Sequence, residues 1–174
     1  FAGERNDPEI APTLFADGYR TPEPGMTADE AVDYYLADLR RAISKLESAG
    51  TPIACLIVCP IFANEGGTTT ARAYLPKAAD IVREAGGLVI SDEVQSGCCR
   101  TGRWWGDESI GFVPDIATMG KPMGNGMPIS AAIASREIIE AFRKATDYFN
   151  TFASSPLQAA AGAAVLDELE DRDL

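Results

Sequence analysis

The chain has 174 residues, 46% hydrophobic and 24% charged, a globular composition long enough for one domain with a core. A formal net charge of -11 and a pI near 4.4 argue against nucleic-acid partners, since nothing offsets the repulsion from a phosphate backbone. The absence of histidine removes Ser-His-Asp and Cys-His mechanisms and leaves acid–base work to Lys, Asp, Glu, Tyr or a borrowed group.

Residues 1–26 hold four prolines and three glycines and read as a loop or arm. Thr27 and Glu30 have the spacing of a capping box. Val32, Tyr35, Leu36, Leu39, Ile43 and Leu46 follow a helical period, which Gly50 ends. Residues 1–50 are therefore an arm followed by an amphipathic helix. The run "PIACLIVCP" from Pro52 is continuous and apolar, as in a strand buried on both faces, and at this length, with a proline, it spans no membrane. "NEGGTTT" is a turn, and Ala71 to Glu84 a second helix that Pro76 starts. "GGLVISDEV" repeats the buried-strand pattern, and "DIATM" and "ISAAIA" are two further short strands. Ser135 caps a third helix to about Ala145, and Pro156 starts a fourth to about Glu170. Strands alternating with amphipathic helices give an α/β fold with a largely parallel sheet.

Ligands gather at the carboxyl ends of such strands. Three unusual segments fall there: "CPIFANEGG", "SDEVQSG" and "GKPMGNG". Asp92 ends an apolar strand, so its carboxylate sits at the rim of a dry interior and needs a partner. A backbone amide or a lysine would serve, and so would a cationic ring nitrogen. Lys121 lies among Gly120, Gly124 and Gly126, which let a backbone pass close to a flat ligand. A solvated loop lysine is the plain reading; an amine forming a Schiff base with a carbonyl is the chemical one. An aldehyde cofactor that needs both groups is pyridoxal 5′-phosphate, whose pyridinium an acid keeps protonated. The four cysteines form no CxxC pair, so no metal or thioredoxin-type site is indicated. Reduced thiols in a cytoplasmic protein are the expectation.

Three blocks, "GGLVISDEVQSGCCRTGRWW", "FVPDIATMGKPMGNGMPISAAIA" and "YFNTFASSPLQAAAGAAVLDELE", resemble successive signatures of class III aminotransferases of fold type I. Order, spacing and the residues Asp92, Gln95, Arg100, Lys121, Asn150, Thr151 and Pro156 all agree. The resemblance implies a three-layer α/β/α large domain with a mostly parallel sheet, here incomplete, with residues 51–174 as its cofactor-binding core. It assigns Lys121 the Schiff base and the proton shuttle, and Asp92 the ring nitrogen. Val94 would pack on one ring face, Gln95 would bond the ring hydroxyl, and Thr151 would reach the cofactor phosphate of a neighbouring subunit in a homodimer that shares its sites. As a plain alternative, Thr151 caps the helix at Pro156. The substrates implied are an amino donor and an oxo acceptor.

Departures are visible too. Cys59 stands where an acid is usual, Cys98 and Cys99 replace an aromatic–glycine pair, and "ASSP" replaces a usual Gly-Gly-Asn/Ser-Pro. Family subunits exceed this length more than twofold, and the chain starts at Phe1, so a piece of the large domain, inactive alone, is expected. The "MGKPMGNG" and "YFNTF" stretches resemble the branch that contains phospho-lyases acting on phosphorylated amino alcohols. Elimination is thus an alternative to amino transfer. A non-catalytic remnant is a reading of another class.

Overall fold

Helix α1 spans Ala28–Ser48 in the computed structural model, which describes residues 7–174 apart from 68, 72 and 154. It starts where its capping residues stand. The Thr27 amide donates to the Glu30 carboxylate at 2.8 Å, and the Glu30 amide donates to the Thr27 hydroxyl at 3.3 Å. Val32, Tyr35, Leu36, Leu39 and Ile43 turn inward together, and Leu46 packs half-buried beside them. Full burial of each large aliphatic side chain is worth about 1.5–3 kcal/mol, so this stripe fixes the helix against α2 and the shared core.

Strand β1 (Cys55–Val58), helix α2 (Tyr74–Glu84), strand β2 (Leu88–Asp92), the short helix α3 (Gly106–Ile110) and strand β3 (Ile116–Met119) follow. Strand β4 (Ala131–Ala134) then leads to α4 (Arg136–Ala145) and α5 (Pro156–Asp171). The four strands form one sheet in the order β1-β2-β3-β4, parallel from β1 to β3, with β4 antiparallel to β3. This is the mostly parallel α/β sheet that the sequence led us to expect. Residues 1–6 of the arm, 68 of the expected turn, 72 of the expected second helix and 154 of "ASSP" lie outside the described residues.

Two expectations change. The second helix begins at Tyr74, with Pro76 inside its first turn rather than at its start. That position is permissible because a first-turn amide has no partner within the helix. The strands are also not buried on both faces. Leu56, Val58, Val89 and Ser91 face the core beneath α1 and α2, whereas Ile57 on the opposite face is 65% exposed and Leu88 37%. Alternation along a strand sends successive side chains to opposite faces, and here only one face carries a cover of buried residues.

The arm is anchored rather than loose. Phe15 packs edge-on against Phe62 at 4.6 Å, Ala16 is fully buried, and Asp17 bridges to Thr70. Buried Asp38 on α1 accepts from the Leu14 amide at 2.6 Å and pairs with Arg41. Tyr74 lies in this same packed region, where burial first and the Asp38 charge second push its hydroxyl up to about 12. At the amino end of β2, the Asp115 carboxylate accepts from the Val89 amide at 2.8 Å and from Arg83, tying α2 to the entry of β3.

Candidate functional site

Because β1, β2 and β3 run parallel, Val58, Asp92 and Met119 end on the same edge of the sheet. Asp92 is the last residue of β2, in register with Thr118 of β3, and Lys121 follows three residues later. Alternation puts Asp92 on the face opposite buried Ser91. It is half-buried, and its Oδ1 accepts from the Val94 amide at 3.1 Å, which bends the chain sharply off the strand.

Lys121 opens a 3-10 turn, Lys121–Gly124, with its backbone at φ 35°, a left-handed value uncommon outside glycine. The sharpest bend of this loop is thus centred on the lysine itself. Gly124 has no room for a side chain, since a Cβ there would come within 2.4 Å of the Ile129 side chain. This glycine serves the close packing of its own loop. The exposed Lys121 Nζ donates to Gln95 Oε1 at 2.8 Å, joining the loops after β2 and β3. Val94 lies beside the root of that lysine, because a Cβ built on Gly120 would touch Val94 Cγ1 at 3.4 Å.

Four of the five expected site residues therefore share one sheet edge: Asp92, Val94, Gln95 and Lys121. Asp92 and Lys121 share no hydrogen bond among the described residues. Thr151 stands apart. It opens an exposed turn ahead of α5, where bonds are local, such as the Phe152 amide donating to Asn150 Oδ1 at 3.0 Å. Ser155, not Thr151, is the residue that precedes α5, and its side chain makes no capping bond. The "CPIFANEGG" segment turns toward the arm, through Phe62 on Phe15 and the Thr70 hydroxyl on the Pro60 carbonyl at 3.0 Å.

Sequence reasoning passed over Glu93. It is only 1% exposed, yet it follows Asp92 in what reads as a polar loop. Its Oε1 accepts from the Ser91 hydroxyl at 2.8 Å and the Asp107 amide at 3.0 Å. Its Oε2 accepts from the Ser96 hydroxyl at 2.5 Å and the Gly106 amide at 2.8 Å. Serines two residues before and three after were the available signal. Asp107, at the start of α3, is pushed up to about 6 by burial and then by the Glu93 and Glu108 charges.

A profile of the family described as aminotransferase class-III matches residues 8–174. The alanine–glyoxylate aminotransferase 2 homolog 2 of Arabidopsis thaliana, named as mitochondrial, is 44% identical over 118 residues. The match covers 67% of this chain and 24% of that protein. The ethanolamine-phosphate phospho-lyase homolog 1 of Caenorhabditis elegans is 34% identical over 170 residues, covering 94% of this chain and 36% of the relative. A solved phospholyase from Arthrobacter, in complex with phosphoethanolamine, matches with a TM-score of 0.82 at 40% identity, over 88% of this chain and 36% of that one. The chain thus spans between 24% and 36% of the length of these relatives.

Proposed function

The chain belongs to the class-III aminotransferase family, whose cofactor is pyridoxal 5′-phosphate, and on that footing we propose an amino-transfer role for its parent protein. The reaction moves an amino group from an amino donor to an oxo acid or aldehyde, with residues 51–174 as the cofactor-binding core. The observation that carries this reading is the Lys121 amine held at 2.8 Å from Gln95, on the sheet edge where Asp92 ends β2.

The residues on that edge fit the group. Lys121 Nζ would anchor it through its aldehyde carbon. The Asp92 carboxylate would hold the ring nitrogen protonated, the Val94 side chain would lie against one ring face, and the Gln95 amide would turn from Lys121 to the ring hydroxyl. Bound there, pyridoxal phosphate supplies an electron sink that acidifies the substrate α carbon. Once free, the Lys121 amine would take the proton from the substrate α carbon and deliver it to the former aldehyde carbon of the cofactor, on the far side of the transferred nitrogen. Thr151, exposed with Phe149 and Phe152 (82% and 84%), would face the cofactor phosphate of a second copy in a homodimer.

Treating the protein with pyridoxal phosphate, reducing with borohydride and digesting tests the assignment. A pyridoxyl mass on the Lys121 peptide is expected, and Lys121→Ala should abolish it. An unlabelled wild-type peptide would leave a non-catalytic remnant. We expect the 174 residues alone to turn over no substrate, since the named relatives act through much longer chains.

The phospholyase likeness at 40% identity supports elimination as a second reaction. Incubating the parent protein with a phosphorylated amino alcohol separates the two. Free phosphate without a new amino acid means elimination, and amino transfer without phosphate means the first reading. No helix among the described residues is long and apolar enough to cross a membrane, and Cys55, Cys59, Cys98 and Cys99 are free thiols. We propose a cytoplasmic setting, which a fluorescent fusion of the parent protein would test against a mitochondrial one.

A further inference from the structure

The loop that carries Asp92, Val94 and Gln95 is fastened from inside by a charge that touches none of the substrate-facing groups. Glu93 is buried with both carboxylate oxygens filled, two donors on each. None of the ion pairs among the described residues includes it, so four hydrogen bonds alone compensate its charge. Two of the donors are backbone amides at the start of α3, and the other two are buried hydroxyls that flank Glu93 in sequence. Bonds to an ionised acceptor are short and strong, and a buried carboxylate that lost one would be left unsatisfied.

The surroundings are shaped to this carboxylate. A Cβ on Gly106 would come within 2.4 Å of Ser96 Cβ and 3.0 Å of Glu93 Oε2, so only glycine lets α3 approach. The backbone is pinned on both sides as well. The Glu93 amide donates to the Thr118 carbonyl of β3 at 2.9 Å, and the Gly97 amide donates to the Glu93 carbonyl at 3.0 Å. Asp92 and Gln95, which stand before and after this point, consequently have their backbone directions set by it.

We propose that Glu93 is a positioning residue: its carboxylate locks the loop after β2 to α3 and thereby aims Asp92 and Gln95 into the cofactor site beside Lys121. The role rests on the pyridoxal phosphate reading above. Glu93 acts through its two neighbours and not on the reacting atoms. Glu93→Gln keeps the size but turns one acceptor oxygen into a donor that faces a donor.

Amide hydrogen exchange of the protein as it stands, without cofactor, is the first measurement. In Glu93→Gln, exchange across residues 93–97 and 106–108 should rise about tenfold while α1 is unchanged. Ser96→Ala, which removes one donor and leaves the carboxylate, should loosen the same segments less, by about threefold, and it covers the case in which Glu93→Gln fails to fold. The second measurement is induced circular dichroism in the visible band of the parent protein loaded with pyridoxal phosphate, which reports how the ring is held. Both variants should still label Lys121 with borohydride but show a weakened or inverted dichroic band.

Unchanged exchange at 93–97 in both variants would overturn the proposal. Loosened exchange with a wild-type dichroic band would reduce Glu93 to a structural role and overturn it too. Absence of label on wild-type Lys121 would sink the reading beneath it, an outcome recognisable because it needs no variant.

Discussion

Helices α1 and α2 bury eight and five residues, whereas α4 buries none and α5 only Gly162. The buried apolar side chains all fall between Ala16 and Ala117 among the described residues, although the later part is hardly short of apolar groups. Ile139 is 38% exposed, Phe142 48%, Leu157 66% and Leu166 48%. An amphipathic pattern records which face a helix would bury, and stability comes only when a partner is present to cover it. The region up to β3 therefore holds Asp92 and Gln95 on a packed base. Lys121 stands at the start of a region whose own helices add little.

The largest test of this contrast is a pair of truncations. Leu39 is 1% exposed, and Leu39→Ala should cost about 3 kcal/mol, while Leu166→Ala should cost about 0.5 kcal/mol or less. Urea midpoints read both, and equal losses would erase the distinction. Asp38→Ala comes next, at about 2 kcal/mol, because it strands the Leu14 amide and releases the arm from α1. Retention of full stability would mean that the arm contributes nothing to the packed base.

Asp107, on α3 within the first region, sharpens the contrast through pH. Its folded pKa is raised from 3.8 to about 6, so folding favours the protonated acid. Its contribution is complete below pH 4 and is lost as pH rises through about 6. Asp107→Asn should therefore match wild type at pH 4 and exceed it by about 1–2 kcal/mol at pH 7. Denaturation at several pH values checks this, and a constant difference would refute the assignment. The smallest effect concerns Cys99, at φ 64° in the turn after β2. Cys99→Gly removes a left-handed side chain and should stabilise by about 0.5 kcal/mol after the added chain entropy, readable as a small rise in Tm.

Much of this was legible before the fold was known. The Thr27–Glu30 capping box and the periodic stripe through Leu39 are local signals, and α1 follows them almost residue for residue. Asp92 at a strand end and Lys121 in a bent loop were likewise readable, because strand parity and glycine spacing are properties of a few neighbours. The one-sided burial of β1 was not. The run through Ile57 has the composition of a doubly covered strand, and composition states what a side chain prefers rather than what lies over it. Glu93 was missed for a related reason. A lone acid in a polar loop reads as solvated, and the glycine that admits its partners is thirteen residues away at Gly106.

Strand β1 stands at the border of the sheet, with Ile57 bare on one side of it. A border strand that exposes an apolar side chain is a template for self-association. The charge of -11 opposes that by mutual repulsion. The polypeptide should accordingly stay dispersed in dilute neutral buffer and come out of solution as added salt screens it, or as acid carries it toward pH 4.4.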